Sequence, residues 1–215
     1  MSGAMDLHAI IAIQEGWGRL AADQTRFRAL FPGIPQAMVD SWFTELTPTA
    51  EPKKVKVRAA WAPGTEPLPL ILVQLLDEAA EHEPLGGVGS HDSVTGIAYE
   101  EAIVRETVGV TILTDHPHLT RALHVSCRAL MLAARPWFID VGYLSLDYRG
   151  AQDVQPDPQM LPEGLEVFMR LQRWETLSQV TVAHEHHAHT KRPFVINADD
   201  ATVDGDPGAV VPWPT

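Results

Sequence analysis

Residues 102–136 read AIVRETVGVTILTDHPHLTRALHVSCRALMLAARP, and the change of period inside this stretch decides the fold. In its first part Ala102, Val104, Val108, Val110 and Ile112 recur at even positions, with Glu106 as the one break. Arg105, Thr107 and Thr111 lie between them, which is the pattern of a half-buried strand. Thr114-Asp115-His116-Pro117 then supplies a capping side chain and a proline near a first helical turn. From there the period lengthens. Leu119, Leu123, Cys127, Leu130, Met131 and Ala134 fall on one stripe, and Arg121, His124, Arg128 and Arg135 on the other. Pro136 closes the predicted helix, and Val110, Leu123 and Leu130 are expected to share one core beneath it.

Two alternating runs follow, Leu144, Leu146, Tyr148 and then Leu165, Val167, Met169, Leu171, so the order continues as strand and strand. The connection between them, Gly150 to Pro162, carries Pro156, Pro158 and Pro162 and is long for a hairpin loop. On the N-terminal side, residues 6–31 read as one helix with Leu7, Ile10, Ile11, Trp17, Leu20 and Phe27 in phase, weakened by Gly16 and Gly18. Pro32-Gly33 breaks it. A second helix starts at Pro35, keeps Val39, Trp42, Phe43 and Leu46 on one face, and ends at Thr47-Pro48. Val55, Val57, Ala59 and Trp61 alternate with Lys54, Lys56 and Arg58, a strand with one basic face. Leu70-Ile71-Leu72-Val73 is a continuous apolar run, suited to a strand covered on both faces. It leads into an acidic, glycine-bearing loop that reaches Gly89.

These elements predict an α+β fold: a mostly antiparallel sheet with a helix packed on one face, N-terminal helices and an extended C-terminal arm. The boundaries read 1–50 for the helical segment, 51–185 for the core domain and 186–215 for the arm. The arm is polar, acidic and proline-bearing. Phe194, Val195, Ile196, Val210, Val211 and Trp213 are nevertheless too apolar for a free tail, which predicts docking on a neighbour.

The chain has 215 residues, 28 acidic against 16 basic, and a net charge of −12. That balance repels nucleic acid and excludes a protein that grips DNA through its phosphates. The single cysteine, Cys127, excludes an intramolecular disulfide and sits on the apolar stripe as a core residue. The longest apolar run, Leu68 to Leu76, is broken by Pro69 and Gln74 and is too short to span a bilayer. A soluble protein without membrane partner or export signal is expected.

Ala183-His184-Glu185-His186-His187-Ala188-His189 is the one segment that looks chemical. On a strand His184 and His186 project to one face, a spacing that can chelate zinc or nickel. A catalytic zinc needs a third ligand, and the helical zinc-protease pattern fails because Ala188 stands at its second histidine. The run from Asp200 imitates the start of a calcium loop but places Val211 where a glutamate is required. Gly86-Gly87-Val88-Gly89 lacks the lysine of a phosphate loop and reads as a flexible loop. Asp77, Glu78, Glu81 and Glu83 read as a solvated acidic loop. No catalytic, cofactor-binding or metal-binding residue is assigned, and no enzyme activity or cofactor is expected. Two other readings stay open: a metal-dependent hydrolase using the 184–189 cluster, and a non-catalytic binding module using the Val55 strand and the acidic loop.

The stretch from Leu68 to Val182 resembles the tail-terminator or neck proteins of tailed bacteriophages. Four features carry the resemblance. An apolar strand enters an acidic glycine-bearing loop (Leu70 to Gly89). A strand leads through Thr114-Asp115-His116-Pro117 into a helix bearing Arg121. A further strand runs into a proline-rich loop (Leu144 to Pro162). A closing strand ends in Arg170-Leu171-Gln172-Arg173-Trp174. The resemblance implies a structural virion subunit, assembled in the host cytoplasm. It implies a homo-oligomeric ring, commonly a hexamer, that joins the tail tube or sheath to the head connector. DNA would pass through its channel without specific binding. The acidic balance suits such a channel wall, and the arm suits reach to a neighbouring subunit. The paired N-terminal helices make the chain longer than a minimal terminator, so another neck or tail-completion ring fits the resemblance equally.

Overall fold

The chain opens with two helices where the periodicity predicts one. Helix α1 (Met5–Ala21) buries Met5, Ala9, Ile13, Trp17 and Leu20 on one stripe. It stops because Asp23 takes an extended backbone and its carboxylate accepts the N–H groups of Thr25 and Arg26, at 3.0 and 3.2 Å. This cap starts α2 (Gln24–Ala29) in a new direction and corrects the single helix expected over 6–31. Helix α3 (Gln36–Leu46) follows Pro35 as expected, and the Thr47 hydroxyl donates to the carbonyl of Phe43 at its end. Phe27 meets Phe31 and Phe43, and Phe31 meets Trp42, so aromatic edges join α2 to α3.

The remaining elements are β1 (Lys56–Ala59), β2 (Leu70–His82), β3 (Ser90–Asp92), β4 (Ile97–Thr114), α4 (Pro117–Ala133), α5 (Arg135–Asp140), β5 (Tyr143–Val154), β6 (Phe168–Glu185), β7 (Phe194–Val195) and β8 (Val210–Val211). The computed structural model describes residues 4–48, 54–60, 67–82, 90–92, 97–155, 166–185, 194–195 and 210–211. By internal contact the chain forms two compact units, 1–83 with 102–180, and 84–101 with 181–215. In the second unit β3 pairs antiparallel with Ile97–Tyr99, and β7 pairs antiparallel with β8.

The first unit is an α+β body. Its sheet runs β1-β2-β4-β6-β5, with β2–β4 and β5–β6 antiparallel and β1–β2 parallel. Ile71 and Val73 of β2 stand opposite Ile112 and Val110 of β4, and all four are fully buried. The buried stripes of α1 and α4 close over this face together with Phe138 of α5. Val110 and Leu123 lie in that core as expected, whereas Leu130 is only partly buried and packs at its edge. Burying a side chain of this kind contributes about 1.5–3 kcal/mol, so the strand–helix pair anchors the body.

Four details correct the residue-level expectations. Helix α4 is preceded by His116, which makes no side-chain cap; Thr114 instead accepts the N–H of His116 and shares a hydroxyl bond of 2.7 Å with Thr120. Pro136 stands in the first turn of α5 rather than only closing α4, since a first turn needs no proline N–H. Leu144 is 53% exposed because a bulge between Tyr143 and Ser145 shifts the register and turns Tyr143 inward in its place. Strand β6 buries Gln172, Trp174, Thr176 and Ser178, so the predicted inward Met169 and Leu171 face the other side. Trp174 fixes that phase: it is the largest fully buried side chain, and burying it outweighs the smaller residues beside it.

Candidate functional site

The segments that looked chemical in the sequence fall largely outside the described residues. Strand β6 carries the backbone of His184 and Glu185, while 186–189, Gly86 to Gly89 and 200–209 lie outside them. Asp77 and Glu78 belong to strand β2, paired with Thr107 and Glu106, and not to a loop. A bulge at Leu76 lets the strand continue through the acidic sequence. Among the described residues no group of three or more His, Cys, Asp or Glu side chains is placed to hold a metal ion. No described helix is long and apolar enough to cross a membrane. Cys127 is fully buried, and burial pushes its thiol up to about 12, which makes it a packing residue.

Two features of the first unit remain. One is the sheet face turned away from the helical core. Alternation in β2, β4 and β6 puts Leu72, Leu113, Leu171 and Leu177 there, all part-exposed. Gly109 lies on the same face beside Leu171, and a Cβ at that position would lie 3.0 Å from both Leu76 Cδ1 and Leu171 Cδ1. The two leucines therefore close over the glycine backbone and make a low apolar patch, with Leu76 38% exposed. Beside it Glu175 pairs with Arg149 and lies 3.9 Å from Arg105, so the patch has a charged border. Apolar centre and polar rim are the anatomy of a protein interface.

The other feature is a cavity of about 300 Å³ lined by Arg121, His124, Val125, Arg128 and Arg170. The helical pattern groups His124 with the solvent-facing arginines of α4, but it is 6% exposed. It tolerates burial because β6 supplies a partner. The Trp174 indole N–H donates to Gln172 Oε1 at 3.1 Å, and indole nitrogen can only donate. That fixes the Gln172 amide, whose Nε2 donates to the His124 carbonyl at 2.8 Å and meets His124 Nδ1 at 3.0 Å. Nδ1 is thus the acceptor, and the ring proton sits on Nε2. Burial, then the charges of Arg170 and Arg128, lower the His124 pKa to about 4, so the ring is neutral at pH 7.

Sequence reasoning assigns neither Gln172 nor His124 a role. The available signal was Gln172 two residues before Trp174, which puts an amide on the tryptophan's own buried face. A second small cluster joins His8 Nδ1 to the Tyr143 hydroxyl at 2.9 Å, with Trp137 edge-on to the ring. Burial raises the Tyr143 pKa and lowers that of His8, and the cluster ties α1 to α5 and β5. In the comparisons with known proteins no family model matches the chain, and no curated protein matches it.

Proposed function

We propose that the chain is a structural subunit that assembles through its exposed sheet face into a homo-oligomeric ring, as a tail-terminator or neck component of a tailed-phage virion. The observation that carries the assembly reading is the pair of leucines, Leu76 and Leu171, that close over Gly109 on the face opposite the helical core, a face that Leu72 and Leu113 share. Partly exposed leucines grouped on a flat surface gain about 25 cal/mol for each Å² that a partner removes from water. A specific interface needs about 1,600 Å² in total, so the leucines would form the centre and the Arg105–Glu175–Arg149 group its border. The virion reading is supported by the resemblance over Leu68 to Val182 and by the net charge of −12, which suits a channel that must release DNA.

The test is the particle mass and negative-stain image of the purified chain. A closed ring with an open centre is the expected result, and Leu76→Lys should shift it to monomers while leaving the circular-dichroism melt nearly unchanged. A wild-type chain that stays monomeric at tens of micromolar, with no ring in the images, would exclude the proposal.

A further inference from the structure

We infer that the Arg121–Arg128–Arg170 cavity is a binding site for a phosphate group, with the Nε2–H of His124 as its neutral donor. Three guanidinium side chains line one cavity in a chain whose acidic residues outnumber its basic ones by 28 to 16. Arg121 makes no hydrogen bond or ion pair with any described residue. The Arg128 guanidinium carbon lies 5.8 Å from the centre of the Tyr148 ring, within cation–π range, a contact that uses none of its N–H groups. Arg170 reaches Asp153 at 3.4 Å, but that carboxylate side chain is 80% exposed and screened. The Nε of Arg170 is buried and has no hydrogen-bond partner. A buried guanidinium N–H without an acceptor is costly, so the hydrogen bonding of Arg170 is incomplete.

The floor of the cavity points to the same chemistry. His124 is held from behind by Gln172, which occupies Nδ1 and leaves Nε2–H as the ring's free donor. The cavity therefore offers four donor side chains and no lining acceptor side chain, the complement of an oxyanion and the opposite of a metal site. A carboxylate would satisfy one guanidinium in a forked pair. A phosphate dianion, with oxygens on several sides, can meet all three arginines at once. Arg121 and Arg128 are exposed, so the cavity opens to solvent and admits either the free ion or the phosphate end of a larger molecule. The inference is independent of the proposed ring, since all four donors come from α4 and β6 of one chain.

The experiment is calorimetric titration of the full chain with inorganic phosphate, in chloride buffer of matched ionic strength. Saturable, single-site binding is expected, weakened about tenfold or more in Arg121→Gln/Arg128→Gln and unchanged in Arg19→Gln, a remote exposed arginine. Both altered arginines of the double variant are exposed, and an unchanged melt would show that it folds. A ¹⁵N spectrum should show the His124 Nε2 signal moving with phosphate in the wild type only. A parallel titration with methyl phosphate separates the sources. Equal binding identifies a terminal phosphate as the ligand group, and binding of orthophosphate alone identifies the free ion. Absence of saturable binding to the wild type, or equal binding to the folded double variant, would overturn the inference.

Discussion

His124 shows how one side chain's surroundings set a measurable property. Its ordinary pKa is 6.5, and in the folded chain burial and two arginines lower it to about 4. Between these values the unfolded chain binds a proton that the folded chain refuses, so stability rises with pH across that window. Going down from pH 6.5 to 4 should cost on the order of 3 kcal/mol, because each tenfold difference in proton affinity is worth about 1.4 kcal/mol. His124→Gln should flatten this slope. Urea melts of wild type and variant at pH 7 and pH 5 read the difference directly, and parallel loss of stability in both would disprove the assignment. The position was illegible in the sequence for a physical reason. Helical spacing groups His124 with arginines, and only the strand carrying Gln172 supplies the amide that lets an imidazole leave water. Glu106 was legible as an interruption of the β4 pattern, yet it is fully buried on the helix-covered face.

The contact of α1 with α4 turns on Gly16. The sequence marks this glycine as a weakness in the helix, but a Cβ there would come within 2.8 Å of Leu130 Cδ2 on α4. Glycine costs the helix about 1 kcal/mol relative to alanine, and crowding a packed contact costs about 1–3 kcal/mol. The two effects oppose each other, and Leu130 is the switch between them. Gly16→Ala should be neutral or destabilising in the wild type and stabilising by about 1 kcal/mol in the Leu130→Ala background. Chemical denaturation of the four-member cycle gives the coupling, and a value near zero would mean that Leu130 turns aside freely. At this scale apolar patterning located α1, α3, α4 and the strands β1, β2, β4 and β5, and β6 out of phase, but not β3, β7 or β8. Period could not see Asp23 start a new helix by accepting the backbone N–H groups of Thr25 and Arg26. It could not see how far β2 runs into acidic sequence, because cross-strand pairing with β4 and not side-chain polarity holds Asp77 and Glu78 in register.

At the scale of the whole molecule, the α+β class was legible because apolar faces must be covered, and helices on one side of a sheet are a stable way to cover them. The strand order was not. Nothing local announces that β1 joins β2 in parallel or that β6 lies beside β4, since these depend on chain crossings. The order has a consequence for how this protein can aggregate. In the first unit the ends of the strand order are β1 and β5, and past Val73 the margin on the β1 side is β2 itself, which carries the exposed Asp77 and Glu78 there. Strand β1 is four residues long and carries Lys56 and Arg58; β5 is bent by bulges near Leu144 and Arg149 and carries Asp147 and Asp153. Short, charged or kinked margins are poor templates for an added strand. Prolonged incubation of the concentrated protein should therefore give no rise in thioflavin T fluorescence, and a cross-β fibre signal would show that a margin is open. Growth by backbone pairing would have no natural end. With its margins blunted in this way, an assembly of the kind proposed would form through side chains, whose shapes and charges can count subunits and stop.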